Sequence, residues 1–200
     1  MPRIHIPSST PETRRVFEFY RRNPSDFIFP RSYDDLSSLA DDAALFAVSA
    51  GRRVVCACYM KATPTGTEYE FGGVLADPSV RGRGFAAMTA SSALASIIVM
   101  AQPSRIIAHV HELNGMPQRL LSALGFLETD RRDVLPDPPP SMKRNARGEV
   151  VGIVHEFDWA QVDRLADKMD RLHDEVEGRR IRFDVGVHTP RELAVLLTNP

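Results

Sequence analysis

The chain is poor in cysteine: Cys56 and Cys58 are the two in 200 residues, and a single residue separates them. That spacing is too close for an ordinary bridge, so no disulfide framework points to secretion and a reducing compartment is expected. An excess of charge of either sign is missing too. Lys and Arg number 25 against 26 Asp and Glu, for a formal net charge of −1, so no global basic face for nucleic acid is indicated. Met1-Pro2-Arg3-Ile4-His5-Ile6-Pro7 lacks the basic-then-apolar order of a signal peptide, and a cytoplasmic location is expected. Long hydrophobic runs are scarce as well. The longest charge-free stretch, residues 84–104, has 21 residues but includes Thr89, Ser91, Ser92, Ser96 and Gln102. It is too polar for a bilayer helix and reads as a helix buried inside the protein, with no membrane partner expected.

Residues 11–22 carry Val16, Phe17 and Tyr20 at helical spacing behind the helix start Thr10-Pro11-Glu12-Thr13. A second helix is expected over residues 33–40. The period then drops to two. Residues 44–49, 54–62 and 67–76, separated by Ala50-Gly51-Arg52 and Thr63-Pro64-Thr65-Gly66, predict three sequential antiparallel strands. The charge-free helix follows and stops before Pro103. Residues 105–110 predict a fourth strand, 116–124 a helix closed by Gly125, and 126–134 a further strand. A Pro-rich loop with Lys143, Arg144 and Arg147 at its basic end precedes a closing strand over 149–159. Trp159, Val162, Ala166, Met169, Leu172 and Val176 then recur every three or four residues, an amphipathic stripe for core packing or a homodimer face. Residues 181–187 alternate like a strand, and Thr189-Pro190-Arg191-Glu192 is a capping box opening a last short helix. The expected fold class is α/β in the α+β sense. Residues 1–158 form a mixed, mostly antiparallel central sheet flanked by helices, and residues 159–200 a helix-strand-helix extension.

The stretch from Val74 to Ala86, with Asp77-Pro78-Ser79-Val80-Arg81-Gly82-Arg83-Gly84 at its centre, joins a strand to a helix through a loop with two glycines. In that setting free backbone N–H groups and the helix dipole bind phosphate. Gly82 and Gly84 let the backbone approach an anion, and Arg81 and Arg83 add charge. Gly82, Gly84 and Ala87 also satisfy a relaxed dinucleotide fingerprint. However, three antiparallel strands precede it, and no acidic residue ends a second strand about 20 positions on. The Gly-Lys-Ser or Gly-Lys-Thr of a nucleotide-triphosphate loop is absent.

At these residues the chain resembles the Gcn5-related N-acetyltransferase superfamily. Arg81-Gly82-Arg83-Gly84-Phe85-Ala86 matches its Arg/Gln-x-x-Gly-x-Gly/Ala motif, preceded by Asp77-Pro78. Downstream, Asn114 followed by a helix and Leu124-Gly125-Phe126 matches a second motif, and the likeness spans roughly residues 27–159. The resemblance implies the acyl-CoA N-acyltransferase fold, acetyl-CoA as co-substrate and no metal. The implied reaction moves an acetyl group to a primary amine of a small molecule or amino acid, by direct attack in a ternary complex. It places the coenzyme pyrophosphate on Arg81, Gly82, Arg83, Gly84, Phe85 and Ala86. The pantetheine arm would run along Val74, Leu75 and Ala76 as an added strand, with Asn114 beside it or the departing thiol. Gly72 and Gly73 suit the bulge that splays this strand from its neighbour in the family.

The same resemblance points to Glu70, eight residues before Pro78, as the general base, with Glu68 on the same strand face as second candidate. Both are otherwise solvated strand-edge carboxylates. His111 shares a face with His109 beside Glu112 and is a third acid–base candidate; two His without a third spaced ligand do not make a metal site. In Leu120-Leu121-Ser122-Ala123-Leu124-Gly125-Phe126, Leu121 stands where relatives often carry a Tyr, which leaves the acid for the thiolate unassigned. Peptide or protein amines, longer acyl chains and a non-catalytic acyl-CoA-binding module stay open as alternatives. Cys56 and Cys58 read as small core residues.

Overall fold

Where periodicity two meets turn residues, the chain forms hairpins. In the computed structural model, which describes residues 1–198, β2 (Leu45–Ala50), β3 (Arg53–Ala62) and β4 (Glu68–Ala76) are three consecutive antiparallel strands. They are preceded by β1 (Pro2–His5), α1 (Thr10–Arg22) and α2 (Tyr33–Asp41). A short turn leads into α3 (Phe85–Ala101), the crossover to β5 (Arg105–His111), which lies parallel to β4. Then come α4 (Pro117–Leu124), β6 (Phe126–Val134), β7 (Val151–Phe157), α5 (Val162–Gly178), β8 (Arg182–Asp184) and α6 (Pro190–Thr198). The sheet has eight strands in the order β6-β7-β5-β4-β3-β2-β1-β8, antiparallel except at β4–β5 and β1–β8.

Both faces of the sheet centre are covered, so alternate residues of one strand enter different cores. Phe46, Val48, Cys56, Cys58 and Met60 pack toward α3, whereas Leu45, Ala47, Ala57 and Tyr59 pack with Val16 and Phe19 of α1 and Leu36 of α2. The two cysteines are buried and unbridged. From Met88 to Ile98 every residue of α3 is buried. Three of its four hydroxyls are tolerated because they bond one turn back: Thr89 Oγ1 donates to Phe85 O at 2.7 Å, Ser91 Oγ to Ala87 O at 2.8 Å and Ser92 Oγ to Met88 O at 2.7 Å, whereas Ser96 Oγ is buried without a hydrogen-bond partner.

The amphipathic stripe is core: Leu165, Met169 and Leu172 of α5, with Leu193 and Leu197 of α6, join the cluster that contains α3. The division expected at residue 158 is therefore not a break in the packing. β8 is shorter than the run over 181–187 suggests and pairs with β1, a strand that the first seven residues do not announce because it is only four residues long. Arg3 fastens this edge, reaching Asp184 at 2.8 Å and Glu12 at 2.9 Å. Among the described residues no helix is long and apolar enough to cross a membrane.

Two irregularities position the site. Between β3 and β4 the register runs Ala57↔Leu75 and then Tyr59↔Gly72, so β4 carries an extra residue, a bulge at Gly73–Val74. Between β4 and β5 only Glu68↔Arg105, Tyr69↔Ile106 and Glu70↔Ile107 pair, although both strands run on. Past Glu70, the edge of β4 that faces β5 has no strand partner among the described residues.

Candidate active site

A cavity of about 460 Å³ opens where β4 and β5 part. Glu70 to Val74 form one wall and Ala108 to His111 another; Leu120 and Leu121 of α4 close the end, and the connection around Phe27–Phe29 and the loop around Pro136–Met142 form a roof. His111 pins that roof. Its Nε2–H donates to Lys143 O at 2.7 Å, its Nδ1 accepts from Leu113 N at 3.1 Å, and Phe27 stacks edge-on against the ring at 5.2 Å. Lys143 N in turn donates to Asp26 O at 2.9 Å, joining the two roof segments. With both ring nitrogens engaged, His111 has no free group for acid–base work in the cavity; it holds structure where a catalytic role was expected.

Glu70 is differently placed. Its Oε1 lies 3.6 Å from His109 Nδ1, and His109 Nε2 lies 3.0 Å from Asp133 Oδ2 on β6, so one imidazole bridges two carboxylates. Burial alone would raise the Glu70 pKa. The adjacent His109 imidazole, then the charges of Arg31 and Lys61, more than reverse this and hold it below the ordinary carboxylate value. The neighbouring Glu70 carboxylate raises His109, with Asp133 assisting against burial. Glu68 does not reach this group. It faces Arg105 at 3.8 Å, near the start of the strand, and does not line the cavity.

Across the cavity Arg31 Nη2 donates to the Tyr59 hydroxyl at 2.7 Å, with the guanidinium 4.9 Å from the Tyr59 ring centre. The Tyr59 ring lies flat against the bulge: a Cβ at Gly72 would stand 2.8 Å from its hydroxyl, and one at Gly73 would overlap its ring carbons. Gly73 has φ of 63°, a left-handed value that only glycine takes without strain, and its carbonyl accepts from the Tyr20 hydroxyl at 2.6 Å.

The glycine loop sits beyond the cavity, at the far end of β4. Asp77 shapes its start, accepting from Ser79 N at 3.0 Å and Ser79 Oγ at 2.6 Å and pairing with Arg53. Those bonds bring its pKa down to about 2. Gly82 and Gly84 have φ of 75° and 83°, and nothing lies within 4 Å of where a Cβ would project. Gly84 is the N-cap of α3 and brings no capping side chain. Among the described residues the N–H groups of Gly82, Gly84, Phe85, Ala86 and Ala87 find no acceptor. They face an open approach flanked by Arg81 and Arg83. A third cation arrives from beyond α5: Arg179 Nη2 donates to Arg83 O at 3.2 Å and its guanidinium lies 5.5 Å from the Phe85 ring centre.

The cavity thus brings together Glu70, Val74, His111 and Asn114 of the expected residues. Leu75 and Ala76 carry β4 onward to Arg81–Ala86. Asn114 Oδ1 accepts from Met116 N at 3.3 Å and turns the chain into α4. Arg31, Tyr59, Tyr20, Asp133 and Arg179 had no motif to mark them. Gly72-Gly73 signals that something approaches closely but not what. Among the described residues, no group of three or more His, Cys, Asp or Glu side chains is arranged to hold a metal ion.

This architecture, a splayed β4–β5 pair with a glycine loop opening the central helix, is the acyl-CoA N-acyltransferase fold. No protein-family model and no curated protein sequence matches the chain; the likeness is to solved structures. The ribosomal-protein-S18-alanine N-acetyltransferase from Escherichia coli superposes with a TM-score of 0.58 at 14% identity, over 78% of this chain and 93% of that one. Arabidopsis thaliana NAA60 in complex with a bisubstrate analogue gives 0.60 at 11%, over 78% and 97%. Salmonella typhimurium yncA with its cofactor acetyl-CoA gives 0.61 at 12%, over 78% and 92%.

Proposed function

We propose that the protein is an N-acetyltransferase acting on acetyl-CoA and a small primary amine. The carrying observation is continuity: the unpaired edge of β4 leads from a loop of free N–H groups into a roofed cavity containing an ionised carboxylate. The loop fits a diphosphate, through the amides of Gly82 and Gly84 to Ala87 and the cations Arg81, Arg83 and Arg179. Val74, Leu75 and Ala76 offer backbone groups for an amide-bearing arm, and Asn114 stands at its inner end. Bound there, acetyl-CoA supplies an electrophilic thioester carbonyl and a thiolate leaving group.

Glu70 accepts a hydrogen bond from the incoming ammonium and takes its proton, directly or through one water, freeing the lone pair for attack. His109, whose pKa the carboxylates of Glu70 and Asp133 raise, favours the ionised form of Glu70 until that transfer. A β4 backbone N–H near Val74 or Leu75 serves the developing oxyanion. As the C–N bond forms and the C–S bond breaks, the departing group is a thiolate. A thiol of pKa about 8.5 leaves near neutrality without an obligatory acid, which accords with apolar Leu121 and engaged His111. The roof favours a small acceptor over an extended peptide.

The test is thiol release from acetyl-CoA across an amine panel. Glu70→Gln is expected to lower kcat by about 10²–10⁴-fold while coenzyme affinity is unchanged; a variant turning over at the normal rate removes Glu70 from the mechanism. Leu121 favours one other reading, a non-catalytic acyl-CoA-binding module, which coenzyme binding with no thiol release across the panel would support.

A further inference from the structure

Among the described residues, Arg31 is a half-buried cation with no anionic partner. It sits in the wall of the cavity, its guanidinium 4.9 Å from the Tyr59 ring centre and 5.6 Å from that of Phe29. Its aim is fixed by the 2.7 Å bond to the Tyr59 hydroxyl, and Tyr59 is itself trapped against Gly72 and Gly73. Among the described residues no carboxylate comes within ion-pair distance of it, and its Nε is buried without a hydrogen-bond partner. The two acids whose charges reach it are committed elsewhere. Asp35 closes the capping box of α2 through Ser32, at 3.0 Å to its N–H and 2.8 Å to its hydroxyl, and Glu70 faces His109. Lys61, opposite Glu70 in the β3–β4 register, adds a second cation to the same cavity. A guanidinium drawn out of water is costly unless an anion meets it, and its planar fork suits a carboxylate.

We propose that the acceptor is an amino-acid-type zwitterion whose carboxylate is bound by Arg31 while its ammonium faces Glu70. The ammonium end rests on the acetyltransferase reading; the carboxylate end does not. Polyamines are disfavoured because Arg31 and Lys61 repel a second positive charge, and a peptide N-terminus lacks a carboxylate next to its amine.

The experiment compares amino acids with their matched amides, as acceptors and as ligands. In turnover, the acid is expected to exceed the amide in kcat/KM by about tenfold or more. Arg31→Met should remove that preference, so that acid and amide are used equally well whatever the overall rate, with Arg31→Lys intermediate. In binding, titration of the N-acetylated amino acid and its amide into the wild-type protein with coenzyme A present should show the same preference without chemistry. Equal affinity for acid and amide in the wild-type protein overturns the proposal, whether or not the variants fold. If the acid binds better but no amine releases thiol, the acetyl-transfer reading fails and Arg31 stands. Thiol release with no carboxylate preference does the reverse.

Discussion

Glu70 keeps its charge in a place that would ordinarily neutralise it. Desolvation pushes a carboxyl pKa up, yet Glu70 is held down because His109, Arg31 and Lys61 favour its ionised form. The sign of one prediction follows. Removing the imidazole in His109→Gln leaves burial less opposed, so the Glu70 pKa rises and the carboxylate is lost sooner as pH falls. The acid limb of kcat/KM should therefore move to higher pH, with the plateau near the alkaline side less affected. A limb that stays where it was would show that His109 does not tune Glu70. The expectation of Glu70 came from its distance to Pro78; its partners could not be named, because Asp133 lies 24 residues from His109 in sequence and meets it only across β7.

At the scale of elements, the bulge and the glycine loop are the two devices that make a sheet into a site. Gly73→Ala places a Cβ in the Tyr59 ring at a left-handed φ, and a loss of about 2–4 kcal/mol is expected in urea unfolding, accompanied by displacement of Tyr59 and Arg31. Gly84→Glu should weaken coenzyme A binding by 100-fold or more in calorimetry, on the order of 3 kcal/mol. It sets a negative charge at the N-terminus of α3, where an anion belongs. Arg179→Ala is expected to be milder, about three- to tenfold, since Arg179 is one exposed cation of three beside the loop. Unchanged affinity in Gly84→Glu would rule out the loop as the diphosphate site.

At the scale of the whole molecule, residues 159–198 are a layer of the core. Truncation after residue 158 removes the buried Leu165, Met169, Leu172, Ile181, Val185, Leu193 and Leu197. At about 1.5–3 kcal/mol for each such side chain, the loss matches or exceeds a domain's total stability, so the shortened chain should show no cooperative melting. The sheet edge where β1 pairs with β8 carries a pH dependence. Burial, with the charge of Arg3, lowers His5 to about 4, its ring bonded to Ser49 at 3.2 Å. The unfolded chain therefore binds a proton that the native one refuses between pH 6.5 and 4, and stability falls as pH drops through that window. About 2–4 kcal/mol should be lost there, and His5→Gln should flatten the curve measured by urea unfolding at several pH values.

Local physics and short motifs were legible in the sequence. Turn residues and period-two runs defined the β2–β3–β4 meander, the charge-free stretch defined α3, and Arg81-Gly82-Arg83-Gly84 with Asn114 and Gly125-Phe126 pointed to the fold. These features depend on neighbours within a few residues, where backbone preference and side-chain spacing decide. The tertiary structure alone decided what lies across a gap. It set the divergence of β4 from β5, assigned His111 to the roof and His109 to Glu70, directed Arg31 into the cavity and brought Arg179 to the glycine loop. It also made the amphipathic stripe of α5 a core surface. Each of these contacts joins segments distant in the chain, and such pairings depend on how whole elements dock, which no local pattern of residues encodes.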